Sequence, residues 1–148
     1  MTSRNMTADV MDFLASYRKA FQSYDIDAIV AHYCFPCQLI SDAEPVAVTT
    51  IAGPEQLKPA VAYILSLHRE IGVRSSRVTQ LDITELSPRL TGMMLRYDLV
   101  DIDGKPLYDM QCFYSLLRTD QGYRIAGLTH NQLPRLLARA GRASIPIS

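Results

Sequence analysis

The sequence predicts an α+β domain in which three helices cover one face of a curved antiparallel sheet. Apolar residues recur at spacings of three and four before Gly72, and four extended runs separated by turn signals follow it. Helices and strands do not alternate along the chain, which excludes a parallel, doubly wound sheet. A length of 148 residues suits one domain, 1–148, with its core at about 9–130 and a short C-terminal helix at 132–140.

The first helix carries Val10, Phe13, Leu14, Tyr17, Phe21 and Tyr24 as one stripe, with Thr7 as its N-cap. Asp25 caps a short second helix with apolar positions Ile26, Ile29, Val30 and Tyr33, ended by Pro36. Stretches 38–41 and 45–51, joined by the turn-like Asp42-Ala-Glu44, read as a small hairpin. Gly53-Pro54 opens a third helix with Leu57, Ala60, Val61, Ile64, Leu65, His68 and Ile71 on one face, and Gly72 closes it. Pro59 leaves open whether the regular helix starts only there. The runs 74–85, 89–100, 105–118 and 123–129 are divided by Ser87-Pro88, Asp103-Gly104 and Asp120-Gln-Gly122, and form a meander. The terminal helix is capped by Asn131 and stopped by Gly141.

Composition narrows the function classes. Hydrophobic residues at 48% and charged residues at 20% are those of an ordinary globular domain. Fifteen basic residues balance fifteen acidic ones, which argues against nucleic acid as a partner, since phosphate binding needs surplus positive charge. No apolar run is long enough to cross a bilayer, and the first ten residues have no signal-peptide core, so a cytoplasmic location is expected. Three cysteines fit a reducing compartment. Cys34-x-x-Cys37 has no second pair to complete a metal site, so no metal is expected. There is no phosphate-cradling glycine loop, Gly-x-Ser-x-Gly elbow or His-Glu-x-x-His, and no cofactor is expected. Arg124, Arg135, Arg139 and Arg142 accumulate near the end of the chain and read as a solvated terminal helix rather than a polyanion site.

Tyr17, the segment Asp25-Ile-Asp-Ala-Ile-Val-Ala-His-Tyr33, the helix start Gly53-Pro-Glu-Gln-Leu57, Asp103-Gly104 and the closing Leu116-Leu-Arg-Thr-Asp-Gln-Gly-Tyr-Arg-Ile125 together resemble the NTF2-like superfamily. Within it the chain is most similar to the ketosteroid isomerase and SnoaL-like polyketide cyclase branch. The resemblance implies a cystatin-like cone with a cavity between helices and sheet. It also implies two candidate functions: a cofactor-independent isomerase, cyclase or dehydratase moving protons on a small apolar substrate, or a non-catalytic domain that binds an apolar ligand or a partner protein. Tyr17 matches the first-helix tyrosine that donates to the developing oxyanion in ketosteroid isomerases. The general-base aspartate of those enzymes falls on Ser41, with Asp42 one residue further, and their second oxyanion donor falls at about Tyr114.

Strand alternation supplies the other candidates. Counted from Gly122, Tyr114 shares a face with Tyr108, Met110, Cys112 and Leu116. The opposite face, with Asp109, Gln111, Phe113, Ser115 and Leu117, is also largely apolar, which suggests a homodimer through the outer face of the sheet. Counted from Gly104, Arg96 and Asp98 share a face with Met94 and Val100. Facing the cavity, they are its charged pair, an anchor and a base; facing outward, they pair across the sheet with Asp109 or Arg118. The expected catalytic set is Tyr17, Asp98 and His130, the last at the rim. Arg96, Tyr114, Cys112, Met110, Tyr63 and His68 are the expected ligand contacts. His32, on the polar side of the second helix, reads as a helix-end residue.

Overall fold

The computed structural model describes residues 3–141. Its elements run α1 (Ser3–Gln22), α2 (Ile26–Val30), β1 (Tyr33–Ser41), β2 (Ala47–Ile51), α3 (Pro54–Ile71), β3 (Ser75–Ser87), β4 (Leu90–Val100), β5 (Pro106–Thr119), β6 (Gly122–His130) and α4 (Gln132–Arg139). The six strands form one curved, unclosed sheet in the order β2-β1-β6-β5-β4-β3. All neighbours are antiparallel except β1 and β6, so the expected all-antiparallel sheet is corrected at that pair. The meander β3 to β6 follows chain order, and the β1–β2 hairpin joins it along β6.

The core lies between the helices and the concave face. Val10, Leu14 and Tyr17 from α1, and Leu57, Leu65 and His68 from α3, meet Met93, Leu95 and Tyr97 of β4 and Cys112, Tyr114 and Leu116 of β5. Register shifts at Val78/Gln80, Leu99/Val100 and Ser115/Leu116 put bulges in three neighbouring pairs, the device that bends long strands around a helical layer.

Several boundaries move for physical reasons. Helix α1 already runs from Ser3, so Thr7 lies inside it and is not its cap. Asp25 caps α2 as expected, its Oδ1 accepting from Ala28 N at 3.1 Å. That helix ends at Val30, not Pro36, because Tyr33 already belongs to β1. Pro36 sits within the β1–β6 register shift and before the first β2 pair at Cys37, where a missing N–H costs no ladder bond. Helix α3 begins at Pro54 and carries Pro59 inside it; Gly72 ends it at φ 88°, its N–H returning to the His68 carbonyl at 2.9 Å. Asn131 does not cap α4 with its side chain; its Oδ1 accepts from Gln111 N at 2.8 Å. Arg135 binds the Asp109 carboxylate and carbonyl, tying α4 to β5. Arg142 lies outside the described residues. No described helix is long and apolar enough to cross a membrane.

Candidate ligand site

A cavity opens between α1, the end of α3 and the concave sheet. Tyr17, Phe21, His68, Tyr97, Leu99, Met110, Tyr114 and Leu128 form its inner wall, and Arg18, Gln22, Tyr24, Arg74, Ser75, Ser76 and Gln132 lie toward its mouth. Its volume is about 60 Å³ for a water-sized sphere, room for a few waters. The Arg18 guanidinium spans the mouth, Nε donating to Ser76 Oγ at 3.0 Å and Nη2 to the Ser76 carbonyl.

Hydroxyls dominate the polar chemistry of the wall. Tyr17 and Tyr33 share a proton-bearing contact of 2.7 Å between their hydroxyl oxygens, with Tyr33 set behind the wall. Tyr97 and Tyr114 hydroxyls lie 3.5 Å apart, at the limit of hydrogen bonding, and the rings of Tyr17 and Tyr114 meet edge to face at 5.8 Å. Each pair needs one proton for its internal contact, which leaves the second hydroxyl hydrogen able to donate elsewhere. Burial raises the pKa of all four phenols above the ordinary tyrosine value, so they are neutral donors at pH 7.

The one imidazole in the wall is His68, 3% exposed, whose Nε2 lies 2.7 Å from the Tyr108 hydroxyl. Gln132 Nε2 donates to that same oxygen at 3.1 Å, so the Tyr108 hydroxyl links the imidazole of α3 to the start of α4. Burial lowers the His68 pKa to about 4, so the ring is uncharged at neutral pH. Among the described residues no carboxylate lines the cavity. The Cys112 thiol sits behind the wall, 2% exposed, pushed up to about 12 by burial, and acts as a packing group.

The expected site residues divide sharply. Tyr17, Tyr114, Met110 and His68 line the cavity, whereas Tyr63 is half-buried on α3 and off the wall. His130 pairs with Cys112 across β5–β6 but does not reach the cavity; its Nδ1 accepts from Gln132 N at 3.2 Å, and burial lowers its pKa. Arg96 and Asp98 are on the outer face, which corrects their placement in the cavity. Arg96 Nη2 donates to Gln111 Oε1 at 3.4 Å and Asp98 pairs with Arg77 at 3.5 Å, rather than with Asp109 or Arg118. Alternation along β4 is unbroken, and Met93, Leu95, Tyr97 and Leu99 take its inward positions; parity puts Arg96 and Asp98 together on one face without saying which face turns to the core. Ser41 stands at the end of β1 with its Oγ buried and lacking a hydrogen-bond partner, and Asp42 is exposed, so no carboxylate occupies the isomerase base position.

Tyr33, Tyr97 and Gln132 were not among the expected contacts. Tyr97 has opposite parity to Arg96, which is its only signal in the sequence; Tyr33 and Gln132 reach the site through strand pairing and a helix start that local patterns do not specify. Among the described residues no cluster of three or more histidine, cysteine or acidic side chains could hold a metal.

Fold comparison agrees with this architecture. An NTF-2 like protein of unknown function from Shewanella oneidensis superposes with a TM-score of 0.65 at 18% identity, over 85% of this chain and 98% of its own. A candidate dehydratase from the NTF2-like family of Streptomyces avermitilis gives 0.67 at 10% identity, over 88% and 97%. A ketosteroid isomerase-like protein from Erwinia carotovora atroseptica gives 0.60 at 17% identity, over 85% and 95%. Identities this low speak for the fold alone. No protein of curated function matches the sequence. The family model for NTF2-like protein (DUF6841) matches residues 8–132, from the stripe of α1 to the start of α4, and the chain belongs to that NTF2-like family.

Proposed function

We propose that the chain binds a small, largely apolar molecule in this cavity and holds it by an oxygen acceptor, a carbonyl or an enol-type oxygen. The observation that carries the reading is a wall of paired phenols and apolar side chains without a carboxylate. Such a surface rewards apolar area and donates to one oxygen, while an anionic group gains little from phenols and loses its hydration. Tyr17 donates to the ligand when Tyr33 donates to Tyr17, so Tyr33 is a positioning residue. A ligand larger than a few waters enters by parting Arg18 from Ser76.

Proton transfer on the bound ligand, the chemistry of an isomerase, cyclase or dehydratase, falls to His68, the one imidazole of the wall, which burial keeps uncharged. Calorimetry with a cyclic ketone and its parent hydrocarbon tests the binding reading: the ketone binds at least tenfold more tightly, and Tyr17→Phe removes that difference. Equal affinity for both compounds overturns it. Deuterium uptake at the carbon beside the ketone, lost in His68→Gln, separates turnover from binding.

We further propose that two copies pair through the outer sheet face around Phe113, which is 40% exposed there. Light scattering is the check: Phe113→Lys lowers the measured mass toward that of one chain, and a parent protein already monomeric at tens of micromolar removes the pairing.

A further inference from the structure

On the opposite side of α1 from the cavity lies a second, wider depression. Asp12, Ser16, His32, Arg118, Gly122 and Arg124 border it, and it encloses about 520 Å³. Ser16 is exposed, one residue before the buried Tyr17, so a single helical turn presents one side chain to each space.

His32 is fixed on every side that matters. Its Nδ1 is 2.6 Å from the Ala28 carbonyl oxygen, and its ring meets Phe13 and Tyr17 edge to face at 5.4 Å. A carbonyl only accepts, so Nδ1 bears the hydrogen and Nε2 of the neutral ring bears the lone pair. Ser16 Oγ lies 2.8 Å from that Nε2. The serine proton therefore points at a base whose tautomer is set from behind by a third group, the arrangement that activates a serine nucleophile. Partial burial and the nearby charge of Arg124 lower the His32 pKa, which keeps the ring neutral at pH 7.

We propose that Ser16 and His32 form a second, reactive centre that accepts an acyl group from a small activated ester, with the Arg124 guanidinium on the same wall facing the ester carbonyl oxygen. Ser16 Oγ bonds to the carbonyl carbon as its proton passes to His32 Nε2. The carbon–oxygen bond to the leaving alcohol then breaks, that alcohol takes the proton from Nε2, and Ser16 is left as an ester that water hydrolyses. Arg118 is held to Asp9 at 3.0 Å and to the Tyr123 hydroxyl at 3.2 Å, so it shapes the depression rather than meeting the substrate.

The full chain is incubated with p-nitrophenyl acetate and, separately, with a fluorophosphonate, and the modified positions are mapped by peptide mass spectrometry. Modification at Ser16 is expected, absent in Ser16→Ala and slowed about 100-fold in His32→Gln, the lower end of what a general base supplies. Modification elsewhere only, or Ser16 modified as fast in His32→Gln as in the parent, overturns the proposal. Should His32→Gln fail to fold, Ser16→Cys with His32 intact gives the answer. Its thiol is expected to react with iodoacetamide at pH 7 at least tenfold faster than the thiol of Ser23→Cys, an exposed position just past the end of α1, and equal rates overturn the proposal.

Discussion

The two faces of β4 and β5 are built from alternate residues of the same two strands, yet only one of them carries charge. Inward, Leu95 faces Cys112, Tyr97 faces Met110 and Met93 faces Tyr114, all buried. Outward, Arg96 faces Gln111, Asp98 faces Asp109 and Met94 faces Phe113, and the charges meet water. Neighbours one residue apart thus live in media of very different polarity. With the charges of β4 and β5 sent outward, the polar groups of the cavity's inner wall are neutral hydroxyls and one neutral imidazole.

Charging the inner face breaks the contrast most severely. Leu95 is 0% exposed, and Leu95→Asp buries a carboxylate with no cation opposite it. A loss of about 4 kcal/mol or more is expected, a large share of the stability of any single domain, read as a lowered denaturant midpoint or as insoluble protein. The same change at Arg96, on the other face, is expected to stay within about 0.5 kcal/mol.

His68 gives the next effect, and its sign follows from linkage. Its folded-state pKa is about 4, below the roughly 6.5 of an unfolded histidine, so between those values the unfolded chain holds the extra proton. Stability therefore rises with pH across that window. The contribution is complete above pH 6.5 and is lost as acid is added, up to about 3 kcal/mol by pH 4. Urea titrations at stepped pH should show this slope in the parent, and His68→Gln should flatten it. His32 and His130, whose pKa values are also lowered, leave a residual slope of the same sign.

Tyr108→Phe sharpens the account of how that histidine is held. It removes the oxygen shared by His68 Nε2 and Gln132 Nε2 and leaves both without their partner, at a cost of about 1–3 kcal/mol. A thermal shift of several degrees is expected, and no shift would show that the pair is dispensable.

How much of this was legible in the sequence depends on the range over which its signals act. The helical stripe that placed Tyr17 and the strand alternation that placed Met110, Cys112 and Tyr114 inward are local patterns, and they read correctly because β5 is regular from Tyr108 to Tyr114. Arg96 and Asp98 do share a face, but alternation groups residues without saying which group turns inward, and the buried Met93, Leu95 and Tyr97 take the core side. The Tyr17–Tyr33 contact joins α1 to β1 across the core, and the Gln132–Tyr108–His68 chain joins three elements far apart in sequence. Such meetings are set by packing, which periodicity does not encode.

The smallest expected effect is the one that tests the strand phase itself. Asp98→Asn removes a carboxylate paired with Arg77 at 3.5 Å, a contact whose arginine is largely exposed, so its contribution to stability is about 0–1 kcal/mol. Because the side chain points away from the cavity, affinity for a ketone ligand should be unchanged within twofold, in contrast to the loss expected for Tyr17→Phe. Measured side by side, the two variants compare the faces directly: one alters the wall and the other the water-facing side of the same sheet. A tenfold loss of binding in Asp98→Asn would mean that the carboxylate reaches the ligand, that the phase of β4 is inverted between Met94 and Asp98, and that the cavity holds a charged base after all.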